Sequence, residues 1–358
     1  MTQKNYNLSI CYIKAFAIML MVLGHACSDN IPGFPLLMPF IVMFHMPIFF
    51  IASGYCFKEK YLSSPGKYLY NKVKGIWWPY VKWGLLFLLL HNVFFNLHLY
   101  NDKYGHNGAT SCIYTLSDIS SHAINIVTKM IGTEQLLCAN WFLNALFWGT
   151  LIAWVIIKYI SNLFLGGGAL LIICIMFNFF HWHIPYFLIS SQAFAAALLI
   201  TIGFAMSRYN IKPFNNTMIA LSLLLTFVGS LIWKMALNMD YYSNFRFLPY
   251  IFTAVLATWS FYSLFEKLQS SKSVFTIALT FIGRNTLTIL IWHLTTFKLV
   301  SLLIIQLYGL PIERLAEFPV MVEYANKGWW IVYFFVAIFT TCGIAYCNKR
   351  IKNSWLKL

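Results

Sequence analysis

"IKAFAIMLMVLGHA", residues 13–26, is apolar along almost its whole length, yet it holds Lys14 and His25. The apolar run around it, about residues 8–28, is long enough as a helix to cross a hydrocarbon layer roughly 30 Å thick. On that helix the eleven positions from Lys14 to His25, at about 100° each, bring the second side chain back to within about 20° of the first. The rise carries it about 16 Å further along the axis. Both groups therefore share one face. An ionisable side chain at membrane depth is costly and usually faces a cavity, a partner or a pathway. Lys14 snorkelling to one interface and His25 resting in the other are simpler readings, but neither accounts for the shared face.

The rest of the chain repeats the pattern. Of 358 residues, 60% are hydrophobic, 19% aromatic and only 10% charged, too few charges to cover a water-facing surface. The expected fold is all-α, a polytopic transmembrane bundle of about ten spans. These lie near 8–28, 36–57, 76–98, 140–160, 168–186, 190–207, 216–235, 248–265, 284–308 and 328–347. The chain reads as one domain, 1–358, and the first run as a span: it lacks the small-residue cleavage site of a signal peptide. The net charge of +15 is confined to particular connections, with no basic stripe interleaved with exposed aromatics, so nucleic acid is not an expected partner.

Lys4, Lys58, Lys60, Lys67, Lys72, Lys74, Lys158, Arg208, Lys212, Lys267, Lys272, Lys349, Arg350, Lys352 and Lys357 fall on one side of this topology. That places both termini in the cytoplasm by the positive-inside rule. Asp29, Asp102, Asp118, Glu134, Asp240, Glu313, Glu317 and Glu323 fall on the other side with few basic residues, Arg246 among them. The one long connection, 99–139, is on the outer side and is either functional or mobile. Its Cys112 and Cys138 either pair or remain thiols.

Further polar groups sit within the spans. "LLMPFIVMFHMPIFFIASGYCF" puts His45 near mid-depth, followed by Pro47, Ser53 and Tyr55. The proline frees a carbonyl, which is tolerable against protein or water. "GRNTLTILIWHLTTFK" brings Arg284 and Asn285 to the cytoplasmic end and His293 to a depth like that of His45; Lys298 reads as snorkelling outward. His25, His45 and His293 are thus candidates to line one cavity. Lys67, Lys72, Lys74 and Lys82, beside "WWPY" (77–80), form a basic mouth, read either as meeting anionic lipid or as binding a phosphate-bearing ligand. Trp141, in "NWFLNALFW", lies at the outer end of a span. His181 and His183 in "HWH" diverge by about 200° on a helix, so no metal site is expected there or elsewhere.

Together these pieces resemble the acyltransferase-3 family of integral membrane acyltransferases, in particular its fucose 4-O-acetylase-like branch. The resemblance spans nearly the whole chain. It rests on Lys14 with "VLGH" ending at His25, "FHMPIFFIASGY" (44–55), the basic loop into "WWPY", "WFLNALF" (141–147) and "IGRNTLTILIWH" (282–293). Many members have Arg where Lys14 stands; the charge is kept and the bidentate fork lost. The resemblance implies an acetyl-CoA-dependent membrane O-acyltransferase in a bacterial inner membrane. Acetyl-CoA is the donor substrate, no cofactor is bound, and the acceptor is a sugar hydroxyl of a cell-surface or lipid-linked glycan. His25 would be catalytic. Lys14, Lys72, Lys74, Lys82 and Arg284 would bind the donor or stabilise charge, and His45, Ser53, Tyr55, Trp141, Asn285 and His293 would line the cavity. A transporter or glycan flippase using the same polar residues is the alternative, although no paired halves with matched broken helices are visible.

Overall fold

The computed structural model describes residues 7–27, 31, 33–104, 108–180, 182, 184, 189–233 and 247–355, leaving aside the side chains of 178, 233 and 352–355. Lys4, Asp29, His181, His183, Asp240, Arg246 and Lys357 lie outside these residues or side chains, as does Lys352, and so do the expected span ends at 28, 186 and 235. Among the described residues the chain is helical, without a named strand.

The helices, in chain order, are α1 (Leu8–Ala26), α2 (Phe34–Val42), α3 (His45–Tyr55), α4 (Pro65–Lys72), α5 (Trp78–Leu89), α6 (His91–Asn96), α7 (Leu116–Lys129) and α8 (Trp141–Tyr159). They continue as α9 (Leu163–Phe179), α10 (Ser191–Arg208), α11 (Asn216–Trp233), α12 (Phe247–Glu266), α13 (Val274–Arg284), α14 (Thr286–Tyr308), α15 (Val322–Tyr324) and α16 (Trp330–Trp355). Seven helical segments are long and apolar enough to cross a membrane, and three shorter apolar helices accompany them. Phe164, Ile232 and Phe339 are among the large apolar side chains left on the outside of the bundle. A water-soluble fold would have no reason to leave so many there; a hydrocarbon solvent does. The protein is an integral membrane protein.

Local chemistry sets the helix ends. Asn7 caps α1 by accepting from the Ile10 N–H at 3.1 Å, which satisfies one of the amides that a helix start leaves open. Thr115 and Asp118 form a reciprocal capping box at the start of α7. α14 stops at Gly309, whose φ of +63° suits glycine.

The expected second span is broken. Met43 and Phe44 separate α2 from α3, and Pro47 sits in the first turn of α3, where its missing N–H costs least. The expected third span is also not one regular helix. A π-helical stretch at Val73–Trp77 joins α4 to α5, and α6 follows as a separate turn. Arg284, expected to open the ninth span, instead ends α13, a helix of its own packed on α1.

α10 is the central contact of one half, packed against α3, α8 and α9. Small residues permit this. Gly149 of α8 lies against Ala196, and Gly54 of α3 and Gly203 of α10 each lie against the other helix's backbone, at Ile200 and Ile51. Where lipid offers helices no hydrophobic drive to associate, such close approach supplies dispersion energy instead. α1 is central to the other half, against α3, α12, α13, α14 and α16.

The described part of the 99–139 connection is ordered. α7 folds back along α5: the Trp77 indole N–H donates to the Val127 carbonyl at 3.2 Å, and Ile126 packs on Gly84. Cys112 and Cys138 are separate thiols.

Candidate functional site

The stripe of α1 that carries Lys14 forms one wall of a cavity. Ile10, Lys14, Ile18 and Met21, at the three- and four-residue spacing of one helical face, line a space of about 320 Å³. Met46, Phe49, Ser53 and Cys56 of the α3 segment, Phe142, Leu143 and Leu146 of α8, and Thr286, Leu287 and Leu290 of α14 complete it, with Lys72, Gly75 and Ile76. We call the end of the bundle where α1 starts proximal. Lys14 and Lys72 are therefore at the cavity's proximal end, beside the π-helical stretch. That stretch widens one turn, a device common at functional sites, and it contributes Gly75 and Ile76 to the wall. Lys72 is half-buried, and burial pulls its ammonium down to about 8.

At the cavity's far end each lining stripe runs on to a histidine. His25 is four residues beyond Met21, His45 adjoins Met46, and His293 is three beyond Leu290. The rings of His25 and His293 have centroids 5.3 Å apart and are tilted by 42°. His45 is within electrostatic reach of His25. His25 is partly exposed, whereas His45 and His293 are buried.

Backbone carbonyls set the tautomers. His45 Nδ1–H donates to the Ile41 carbonyl at 3.0 Å, next to the break between α2 and α3. His293 Nδ1 faces the carbonyls of Ile289 and Leu290 at 3.1 and 2.9 Å. A carbonyl only accepts, so Nδ1 carries the proton and Nε2 of the neutral ring keeps a free lone pair. His293 Nε2 is buried without a hydrogen-bond partner. A buried base with its lone pair uncommitted is chemically available to a hydroxyl or N–H brought beside it.

The remaining candidates divide. Ser53 is on the cavity wall with Lys14 and Lys72. Lys74 and Lys82 are exposed on the helix surface, their ammonium groups over the rings of Tyr70 and Trp83. Arg284 and Asn285 line a different crevice with Lys349, and the Asn285 amide donates to the Phe281 carbonyl at 2.7 Å. Tyr55 lies against Trp259 and shares a 3.2 Å hydrogen bond with the Tyr262 hydroxyl. Trp141 faces a second, distal cavity on the other side of α8. Lys298, expected to snorkel, is instead buried and donates to the Glu317 carbonyl at 2.6 Å. The 3-10 turn after α14 folds over it and supplies that acceptor, so the ammonium need not reach water. Among the described residues, no group of three or more His, Cys, Asp or Glu side chains is arranged to hold a metal ion.

One pairing has no signal in the sequence, although Glu134 itself is among the outer-side acids. His91 Nδ1 meets both carboxylate oxygens of Glu134 at 3.0 and 3.2 Å, and its Nε2 meets the Cys112 carbonyl at 2.9 Å. The ring stacks on Tyr114 at 3.5 Å. His91 ends one apolar run and Glu134 lies near the end of the long connection, after α7, so the fold-back of α7 along α5 brings them together.

Comparison with known protein families gives a match over residues 7–349, nearly the whole chain, to the acyltransferase-3 family, described as an acyltransferase domain. No curated protein and no solved structure matches the chain. The chain belongs to the acyltransferase-3 family and is an integral membrane acyltransferase.

Proposed function

We propose that the protein moves an acetyl group from acetyl-CoA, taken from the cytoplasm, to a sugar hydroxyl of a cell-surface or lipid-linked glycan, as the fucose 4-O-acetylase-like branch does. In this reading it crosses a bacterial inner membrane about ten times with both termini inside, and the proximal end is cytoplasmic. The observation that carries the reading is the proximal cavity: Lys14 and Lys72 on its wall and, within a turn of its far end, three imidazoles. Acyl-CoA has the matching polarity, a polyanionic head and an extended arm ending in a thioester. Phosphate pairs with Lys14 and Lys72 through charge-assisted contacts, and the arm follows the apolar stripe of α1.

His25 takes the proton of the acceptor hydroxyl while the oxygen attacks the thioester carbonyl carbon. The C–O bond forms, the C–S bond breaks, and the proton passes from His25 to the departing CoA thiolate. His45 and His293, with Nε2 unprotonated, keep the layer polar and uncharged. Lys14 acts on the donor; at about 16 Å along the helix it is too distant to tune His25 appreciably.

The test is incubation of nanodisc-embedded protein with radiolabelled acetyl-CoA, with or without cell-envelope glycan extract. Label entering the glycan in wild type and not in His25→Ala is the expected result. Label remaining on the protein alone would replace direct transfer with an acyl-histidine carrier, and glycan label undiminished in His25→Ala would remove His25 from the chemistry.

A further inference from the structure

The distal cavity has features that the donor does not use. It encloses about 370 Å³ between the first two turns of α5, the end of α7, the start of α8 and the residues leading into α10. Its wall holds more polar groups than that of the proximal cavity: Glu134, Asn140, Asn144, Ser190 and Gln192 line it beside Trp141 and apolar residues such as Ile126 and Leu137. Asn140 is only 4% exposed, yet its Oδ1 is buried with no hydrogen-bond partner. A buried amide oxygen left unpaired costs free energy that a ligand hydroxyl would recover. Other groups are fixed in advance. Glu134 is held by His91, and Asn144 donates to the Lys129 carbonyl at 3.0 Å, which anchors the end of α7 to α8.

The cavity is also next to the reaction layer. Asn140 and Trp141 face it, while the next two residues, Phe142 and Leu143, face the proximal cavity. On α5, Gly84 lines it, and the neighbouring Trp83 packs at 5.0 Å on Trp292, the residue before His293. The 3-10 turn Gln135–Asn140 packs on α14 itself.

From the unpartnered amide oxygen, the fixed carboxylate and the indole around one cavity, we infer that this cavity is a pyranose-recognition subsite for the acceptor. Asn140 and Glu134 accept from ring hydroxyls, and Trp141 supplies an apolar face for the C–H side of a sugar ring. The inference rests on the proposed glycan acceptor and locates its recognition. The subsite holds a ring in place while a hydroxyl of the glycan reaches His25.

Saturation-transfer NMR on the full-length protein in nanodiscs tests it, using methyl glycosides of glucose, galactose, fucose and N-acetylglucosamine as probes. Phosphoglycerol and phosphocholine serve as headgroup comparators. The expected result is transfer to at least one glycoside. That signal falls at least fivefold in Asn140→Leu and in the milder Trp141→Phe, and persists in Cys347→Ser at the far end of α16. No transfer to any glycoside, an equal signal in all four proteins, or transfer only to the phosphate headgroups would overturn the assignment. Acetyl-CoA turnover, compared between wild type and His25→Ala in the same samples, separates the two claims. His25-dependent turnover without glycoside binding defeats the subsite alone. Glycoside binding without turnover defeats the proposed reaction and leaves the cavity a sugar site.

Discussion

Lys72 has its ordinary charge weakened by its surroundings, and that has a measurable consequence. Burial favours the neutral amine and brings the group down to about 8. The ammonium that a phosphate needs is present below that pH and lost above it. Donor affinity should therefore fall as pH rises through about 8. We expect the KM for acetyl-CoA to climb severalfold between about pH 7 and 9 in wild type. It should stay nearly flat in Lys72→Arg, because a guanidinium remains charged throughout. Identical profiles would take Lys72 out of donor binding. At His25 the expected effect is on turnover: general-base catalysis contributes typically 10²–10⁴-fold, and His25→Ala should lose about that much kcat in single-turnover assays with little change in donor KM. His293→Ala should fall short of that loss, since its ring lies beside His25 and does not line the cavity that holds Lys14; a loss as deep as that of His25→Ala would make the pair a single catalytic unit. Lys14 and His25 were legible in the sequence because helix arithmetic alone puts them on one face. His91 and Glu134 were not, because their meeting depends on a fold-back that no local pattern encodes.

At the scale of elements, the pairing of α3 with α10 sets the position of one cavity wall. Gly54 and Gly203 let the two backbones touch, and a side chain at either position would run into a carbonyl. Gly203→Val should cost about 1–3 kcal/mol or more through overpacking. It should lower the thermal midpoint in detergent and reduce donor binding, because Ser53 and Cys56 of the wall move with α3. An unchanged midpoint would mean that the helices can separate without loss. Helix periodicity and apolar length located α1, α8, α10, α12 and α14 within a few residues. Three features were not legible. The break at Met43–Phe44 needs only one turn of irregular backbone, and the π-helical stretch at Val73–Trp77 leaves the composition of the run unaltered. The separate helix α13 follows from packing of Gly283 on the α1 backbone at Cys11.

Across the whole molecule, two cavities lie on opposite sides of the first turns of α8, one lined by cations and apolar residues, the other by amides, a carboxylate and an indole. The all-α membrane class was legible from composition, since so few charges leave no other solvent than lipid for most of the surface. The division into two cavities was not, because neighbouring residues of one helix face different spaces, and only the packed bundle separates Trp141 from Phe142. In the proposed reading the first cavity takes the donor and the second the acceptor. The most direct measurement is therefore a sided one, in proteoliposomes of established protein orientation. Radiolabelled acetyl-CoA is supplied only at the face where α1 begins, and glycan extract only at the other. We predict label in the glycan with wild-type protein and none with His25→Ala. Label that appears only when both substrates share one face, or that survives in His25→Ala, would contradict transfer across the bundle through the histidine layer.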